Sequence, residues 1–197
     1  MFDVYVDSGA NIPADLVEKY GITVLPMHLT LDGKPVAAFE PGLTQQQERE
    51  AGHRYYQAIR EGAVGKTALV NTEEFIDAFR VSLEKGNDVM AFTMSANISG
   101  TYNSARLAIE ELQEEFPERK MFLIDSMNAS LGEGILAIYA VEMRDQGKSI
   151  EDINDYLSET VHKMNGIFTV DDLKYIAATG RLSNMSAFVG NLLGIKP

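Results

Sequence analysis

Asp88-Val89-Met90-Ala91-Phe92-Thr93-Met94-Ser95-Ala96-Asn97-Ile98-Ser99-Gly100-Thr101 passes from a continuous apolar run into a loop of small polar residues. An apolar run without alternation fits a strand covered on both faces, and the loop leads into a helix predicted over residues 98–115, closed by Pro117. The same order recurs downstream. Residues 121–124 form the apolar run, Asp125-Ser126-Met127-Asn128-Ala129-Ser130 the loop, and residues 131–146 the helix, ended by Gly147. Strands separated by helices imply parallel pairing through right-handed crossovers.

Towards the N-terminus, residues 2–6 are rich in aromatic and β-branched side chains and read as another strand. Asp7-Ser8-Gly9-Ala10-Asn11 is a polar turn, and Pro13 opens a helix that runs to Tyr20 and stops at Gly21. Residues 22–31 read as one extended segment ending at the turn Asp32-Gly33. Residues 45–60 show helical spacing in Tyr55, Tyr56 and Ile59. Asn71 or Thr72 caps the next helix, with Glu74 near the capping-box position and Phe75, Ile76 and Phe79 on one face. Ser149-Ile150-Glu151-Asp152 starts one more helix. Beyond Met164 the rhythm changes to a short strand over residues 166–170, a helix over 171–178 and an apolar helix over 185–193. The expected fold is α/β: residues 1–163 form a parallel-sheet lobe with helices on both faces, and residues 164–197 begin a second α/β lobe.

With 197 residues, 45% of them hydrophobic and 23% charged, the chain can bury one substantial core and part of a second. Nine Met, nine Phe and eight Tyr read first as ordinary core filler. A net charge of −12 opposes binding to phosphate backbones, so no nucleic acid partner is expected. The absence of cysteine removes disulfides, thiolate zinc sites and thiol catalysis, and it suits a reducing, cytoplasmic setting. The first residues form no signal peptide, and no window approaches the apolar length of a membrane span.

Ligands of open parallel sheets gather beyond the carboxyl ends of the strands. The loops that start at Asp7, Ser95 and Asp125 are rich in Ser, Thr, Asn and Gly, and each leads to a helix start where free amides and the helix dipole suit an anionic group. Helix capping is the simpler explanation of any one loop by itself, whereas the three converging loops point equally to a ligand site. His28, His53 and His162 stand beside no nucleophile loop and read as surface or packing residues. Asp7 and Asp125 lack metal-ligand spacing and read as loop braces. Ser99-Gly100-Thr101 matches neither a phosphate loop nor a dinucleotide fingerprint, so no cofactor, metal or catalytic residue is expected.

The segment from Ser95 through Ser99-Gly100-Thr101-Tyr102-Asn103-Ser104-Ala105 resembles the Leu-Ser-Ser-x-Leu-Ser-Gly-Thr-Tyr-Gln-Ser-Ala signature of the DegV family. Val6-Asp7-Ser8, Asp125 through Gly132, Asp172-Leu173-Lys174-Tyr175, Gly180-Arg181-Leu182-Ser183 and Gly194-Ile195-Lys196-Pro197 match the family in order along the whole chain. The resemblance implies a two-lobed bacterial protein that holds one long-chain fatty acid between its lobes. It also implies a role in phospholipid metabolism as the binding subunit of a fatty-acid kinase, without catalysis of its own. The alternative is an independent enzyme using Asp7, Asp125 and a hydroxyl nucleophile, but no base is paired with such a nucleophile.

By the same resemblance, Thr67, Ser95 and Ser8 bind the carboxylate together with the amides of Asn97 and Ile98, and Arg181 docks the kinase. Thr67 is retained while the residues after it depart from the family's Thr-Ser-Gln-Pro-Ser, Ala96 replaces a second serine, and Thr179 replaces a glycine before Arg181. Family members continue past the Ile-Lys-Pro motif. Part of the second lobe is therefore expected to be missing from residues 1–197, leaving Phe188, Leu192, Leu193 and Ile195 exposed.

Overall fold

A computed structural model of the chain describes residues 1–169 together with Gly180 and Arg181. Its strands are β1 (Phe2–Asp7), β2 (Ile22–Leu25), β3 (His28–Leu31), β4 (Lys34–Val36), β5 (Gly65–Ala68), β6 (Asp88–Thr93) and β7 (Met121–Asp125). Its α-helices are α1 (Ala14–Tyr20), α2 (Gln45–Arg60), α3 (Thr72–Glu84), α4 (Thr101–Glu115), α5 (Leu131–Asp145) and α6 (Ile150–Thr160). Two compact units divide the chain, Met1–Met164 and Asn165–Pro197.

The main sheet is parallel, in the order β2-β1-β6-β7, with Val6 opposite both Val24 and Phe92. Alternate side chains leave its two faces. Phe2, Val4, Val6, Met90 and Phe92 pack against Leu136, Ala140 and Val141 of α5 and Ile153 and Leu157 of α6. Tyr5, Val89 and Ala91 pack on the opposite side against Phe75, Phe79 and Leu83 of α3 and Ala105, Ala108 and Leu112 of α4. Helices therefore cover both faces, which is why β6 is apolar without alternation. Each large side chain buried there contributes about 1.5–3 kcal/mol.

Capping fixes where the helices begin. Asn71 caps α3 in a reciprocal box: its side chain accepts the Glu74 amide at 3.0 Å, and the Glu74 carboxylate accepts the Asn71 amide at 2.8 Å. Ser149 caps α6 by accepting the Asp152 amide at 3.1 Å. Helix α4 starts at Thr101, later than the expected residue 98. The Ser95 carbonyl accepts the amides of Ile98 and Ser99, and the Ser99 hydroxyl accepts that of Thr101, so local bonds hold this stretch as a turn.

The extended segment expected over residues 22–31 is two strands in two sheets. Pro26, which has no N–H to give to a ladder, separates β2 from β3. Strand β3 joins a small antiparallel sheet in the order β4-β3-β5, so pairing in this lobe is not wholly parallel. The predicted turn Asp32-Gly33 connects β3 to β4 with φ of 49° and 76°, the left-handed pair that suits a two-residue hairpin.

The short strand expected over residues 166–170 is not formed at residues 166–169. Ile167 and Phe168 are exposed there, and among the described residues no neighbouring strand pairs with them. The helices expected over 171–178 and 185–193, and the apolar side chains of Phe188, Leu192, Leu193 and Ile195, lie outside the described residues. Among the described residues, no helix is long and apolar enough to cross a membrane.

Candidate functional site

The chain runs from β1 to β2 on one side and from β6 to β7 on the other, so the two connections diverge at the carboxyl ends of these neighbouring strands and open a crevice there. Asp7 closes the strand. Its buried carboxylate accepts the Gly9 amide at 2.7 Å and the Met94 amide at 2.9 Å, tying the loop after β1 to the loop after β6. Ser8-Gly9-Ala10 forms a single 3-10 turn, and the Ser8 hydroxyl accepts the Met27 amide at 3.0 Å. The Gly9 carbonyl accepts the Ser130 amide at 2.8 Å, which brings in the loop before α5. Three loops are thus laced together at one sheet edge.

Between this corner, the small sheet and α2 lies a cavity of about 910 Å³. Asp7, Ser8, Asn11 and Ser130 bring this polar corner into its wall, and Thr67, Glu40, Glu48 and Arg49 also line it. The rest is largely apolar: Val24, Met27, Leu29 and Val36 from the sheets, Phe39 and Leu43 from the connection, and Ala51, Tyr55, Tyr56 and Ile59 from α2. Ala51, Tyr55 and Ile59 follow each other at the four-residue spacing of one helix stripe. Helix α2 has no fully buried residue, whereas α3 has five. Its apolar stripe therefore faces the cavity instead of a packed core. The start of α2 is fastened by the Glu48 carboxylate, which accepts the Ala14 amide at 3.0 Å, and by Gln45, which donates to Asp15 at 2.9 Å.

The structure brings Ser8 and Thr67 to this one cavity. Ser95 is buried beside it, and its hydroxyl accepts the Asn97 amide at 3.3 Å while its carbonyl accepts the Ile98 amide at 3.0 Å. Ser95, Asn97 and Ile98 are not in the cavity wall, although Met94 is. Arg181 is exposed and belongs to the second compact unit. Asp125 braces its loop by accepting the amides of Met127 at 2.9 Å and Ala96 at 3.3 Å. His28 meets Glu74 on the surface, and neither His53 nor His162 lines this cavity. Among the described residues, no group of three His, Cys, Asp or Glu is placed to hold a metal ion.

Sequence reasoning did not single out Arg49 or Glu133. Arg49 is the only basic side chain among the described residues of the wall. Glu133, in the first turn of α5, is fully buried. Burial pushes the Asp7 carboxyl up from its ordinary value, against the pull of its two amide bonds. Burial first, and the Asp7 charge second, push Glu133 well above the usual carboxylate range. The α2 stripe was open to detection from the spacing of Ala51, Tyr55 and Ile59. The arrangement can seat an amphiphile, with its anionic end at the polar corner and an apolar tail along α2.

The sequence model of the DegV family, described as "Uncharacterised protein, DegV family", matches residues 1–197. A DegV domain-containing protein of Clostridium perfringens is 34% identical over 197 residues, covering 100% of this chain and 65% of that protein. The chain thus spans just under two thirds of this relative's length. A structure described as the fatty acid binding of a DegV family protein from Thermus thermophilus superposes with a TM-score of 0.81 at 31% identity, covering 100% of this chain and 66% of that one. A stearic acid-binding protein from Eubacterium ventriosum superposes with a TM-score of 0.79 at 25% identity, again covering 100% and 66%.

Proposed function

The chain belongs to the DegV family, and from that premise we propose that it binds a long-chain fatty acid and presents it to a kinase partner that forms the acyl phosphate. The tail lies along the apolar stripe of α2, and the carboxylate sits at the corner of Ser8 and Thr67. Ser95 acts by shaping the turn through Asn97 and Ile98, beside the Met94 segment of the wall. The relatives are longer than this chain, so enclosure of the ligand by a second lobe, residues 164–197 being its beginning, is part of the same proposal. A cytoplasmic setting, which the absence of cysteine suits, belongs to it as well.

One observation carries the reading: a single cavity has a polar corner at a sheet edge and an apolar wall from a helix with no fully buried residue. Magnitudes favour an acyl chain over a small acid. Each buried methylene contributes roughly 0.8 kcal/mol, so about ten give ~8 kcal/mol. Each charge-assisted hydrogen bond to the head group contributes about 1.5–3 kcal/mol. The tail sets affinity, and the polar corner sets position.

Native mass spectrometry of the purified chain, followed by denaturing lipid extraction, tests the binding. The expected result is a bound fatty acid, or uptake of added palmitate by stripped protein. A folded protein that neither carries nor takes up a fatty acid overturns the proposal. The partner step is tested by Arg181→Ala, which should leave palmitate binding intact while acyl-phosphate formation with the cognate kinase falls; unchanged formation removes Arg181 from docking.

A further inference from the structure

Glu133 is fully buried, and neither of its carboxyl oxygens has a hydrogen-bond partner. A bare carboxylate in such a place is among the costliest groups a protein can bury, whereas the protonated acid costs far less. The main chain around it is fixed. The Ser130 carbonyl accepts the Glu133 amide at 3.0 Å, and the Ser130 amide donates to the Gly9 carbonyl at 2.8 Å. Gly9 in turn donates its own amide to Asp7 at 2.7 Å. Asp7, Gly9, Ser130 and Glu133 therefore form one connected unit, and its first three members line the cavity's polar corner.

Asp7 is the only charged neighbour acting on Glu133 among the described residues; β6, α6 and the turn after β1, which also pack on α5, contribute none. The Asp7 main chain comes near enough to offset part of the strain without completing a hydrogen bond. Two carboxyl groups that feel each other in a dry interior do not both ionise. Asp7 has two amide donors and Glu133 has none, so the charge belongs on Asp7 and the proton on Glu133. The direction of the Glu133 titration agrees with this assignment.

We propose that Glu133 is a positioning residue, held uncharged behind the crevice so that Asp7 remains the single anion clasping the loops after β1 and β6. Its effect reaches the ligand through Asp7: the clasp fixes the Ser8 turn, and a second negative charge at Glu133 repels Asp7 and loosens it. This last consequence rests on the fatty-acid reading, whereas the clasp itself does not.

The test follows the Gly9 and Met94 amide resonances by NMR in the wild-type chain and in Glu133→Gln, from about pH 6 to about pH 9.5, above the ordinary carboxylate range. Labelled palmitate binding is measured over the same range. Where Glu133 ionises in the wild type, both amides should move together through one transition, with palmitate affinity falling roughly tenfold, or about 1.4 kcal/mol. In Glu133→Gln both readouts should stay flat. A transition that persists in Glu133→Gln overturns the proposal, whereas wild-type amides and palmitate affinity that stay flat to the top of the range show Glu133 uncharged throughout, as proposed. Should Glu133→Gln not fold, Glu133→Met serves in its place with the same expectation. An amide transition present in the wild type and absent in Glu133→Gln, with no palmitate bound at any pH, overturns the fatty-acid reading and supports the positioning role.

Discussion

The Gly9 amide donates to Asp7 Oδ1 at 2.7 Å, and that same oxygen stands 2.6 Å from where a Gly9 side chain would begin. The bond that closes β1 thus occupies the space a Cβ needs, and the Met94 methyl lies 2.7 Å from the same point. Gly9→Ala is expected to push the Asp7 carboxylate off at least one of its amides. The stability loss should be about 1–3 kcal/mol, an overpacking cost, read by urea denaturation. Palmitate binding should weaken with it, because Ser8 rides on the same turn. A variant as stable as the wild type would show that Asp7 can move without loss.

Ser8 and Thr67 line one cavity, whereas the Ser95 hydroxyl is engaged with the Asn97 amide. Replacing Ser8 and Thr67 together with Ala should lower palmitate affinity by one to two charge-assisted bonds, about 1.5–6 kcal/mol. Ser95→Ala should instead cost about 1 kcal/mol of stability, as loss of a local cap does, with a smaller change in affinity. Isothermal titration calorimetry and thermal melts separate the two cases. The reverse pattern would move the head group to the loop after β6.

Ala51 lies on the inward stripe of α2, a helix without a fully buried residue. Ala51→Glu introduces a charge where the acyl chain is placed, yet removes no packed core contact. Stability is expected to stay within about 0.5 kcal/mol of wild type. Palmitate retention after gel filtration should be lost, since an acyl chain laid over that carboxylate strips it of water and leaves it without a partner. Retained palmitate would place the tail elsewhere.

How far each element was legible follows from where its determinants lie. The apolar run through Val89, Met90, Ala91 and Phe92 records burial on both faces, and Asn71 with Glu74 records a capping box, so the parallel sheet and its helices could be read from local pattern. The small sheet could not. Strand β4 contains Pro35, and β5 is Gly65-Lys66-Thr67-Ala68, with little of the alternation or branching that marks a strand. Both exist because β3 pairs with each of them. Ile98 reads as the first apolar position of α4, yet hydrogen bonds to Ser95 and Ser99 delay the helix. Glu133 is the clearest case. An acid in the first turn of a helix reads as a favourable dipole partner in solvent, and only packing of α5 against the end of β1 turns it into a buried group beside Asp7.

That burial gives the protein a specific dependence on pH. Glu133 titrates well above its ordinary value in the folded chain, burial being the larger cause and the Asp7 charge the smaller. In the unfolded chain it titrates as an ordinary carboxyl group, so between the two values the folded state holds a proton that the unfolded state has released. Stability is the integral of that difference, and it falls as pH rises wherever the folded state binds more protons. The contribution is complete below the unfolded value, about pH 4.3, and is lost progressively until pH passes the folded value. Asp7, also raised by burial, adds to the decline in the same direction. Urea denaturation at a series of pH values should therefore show wild-type stability decreasing from mildly acidic to alkaline pH. Glu133→Gln has no proton to lose at this position, and its curve should be the flatter of the two, with the gap between them changing across the Glu133 titration. Parallel curves for the two proteins would mean that Glu133 is already ionised in the fold.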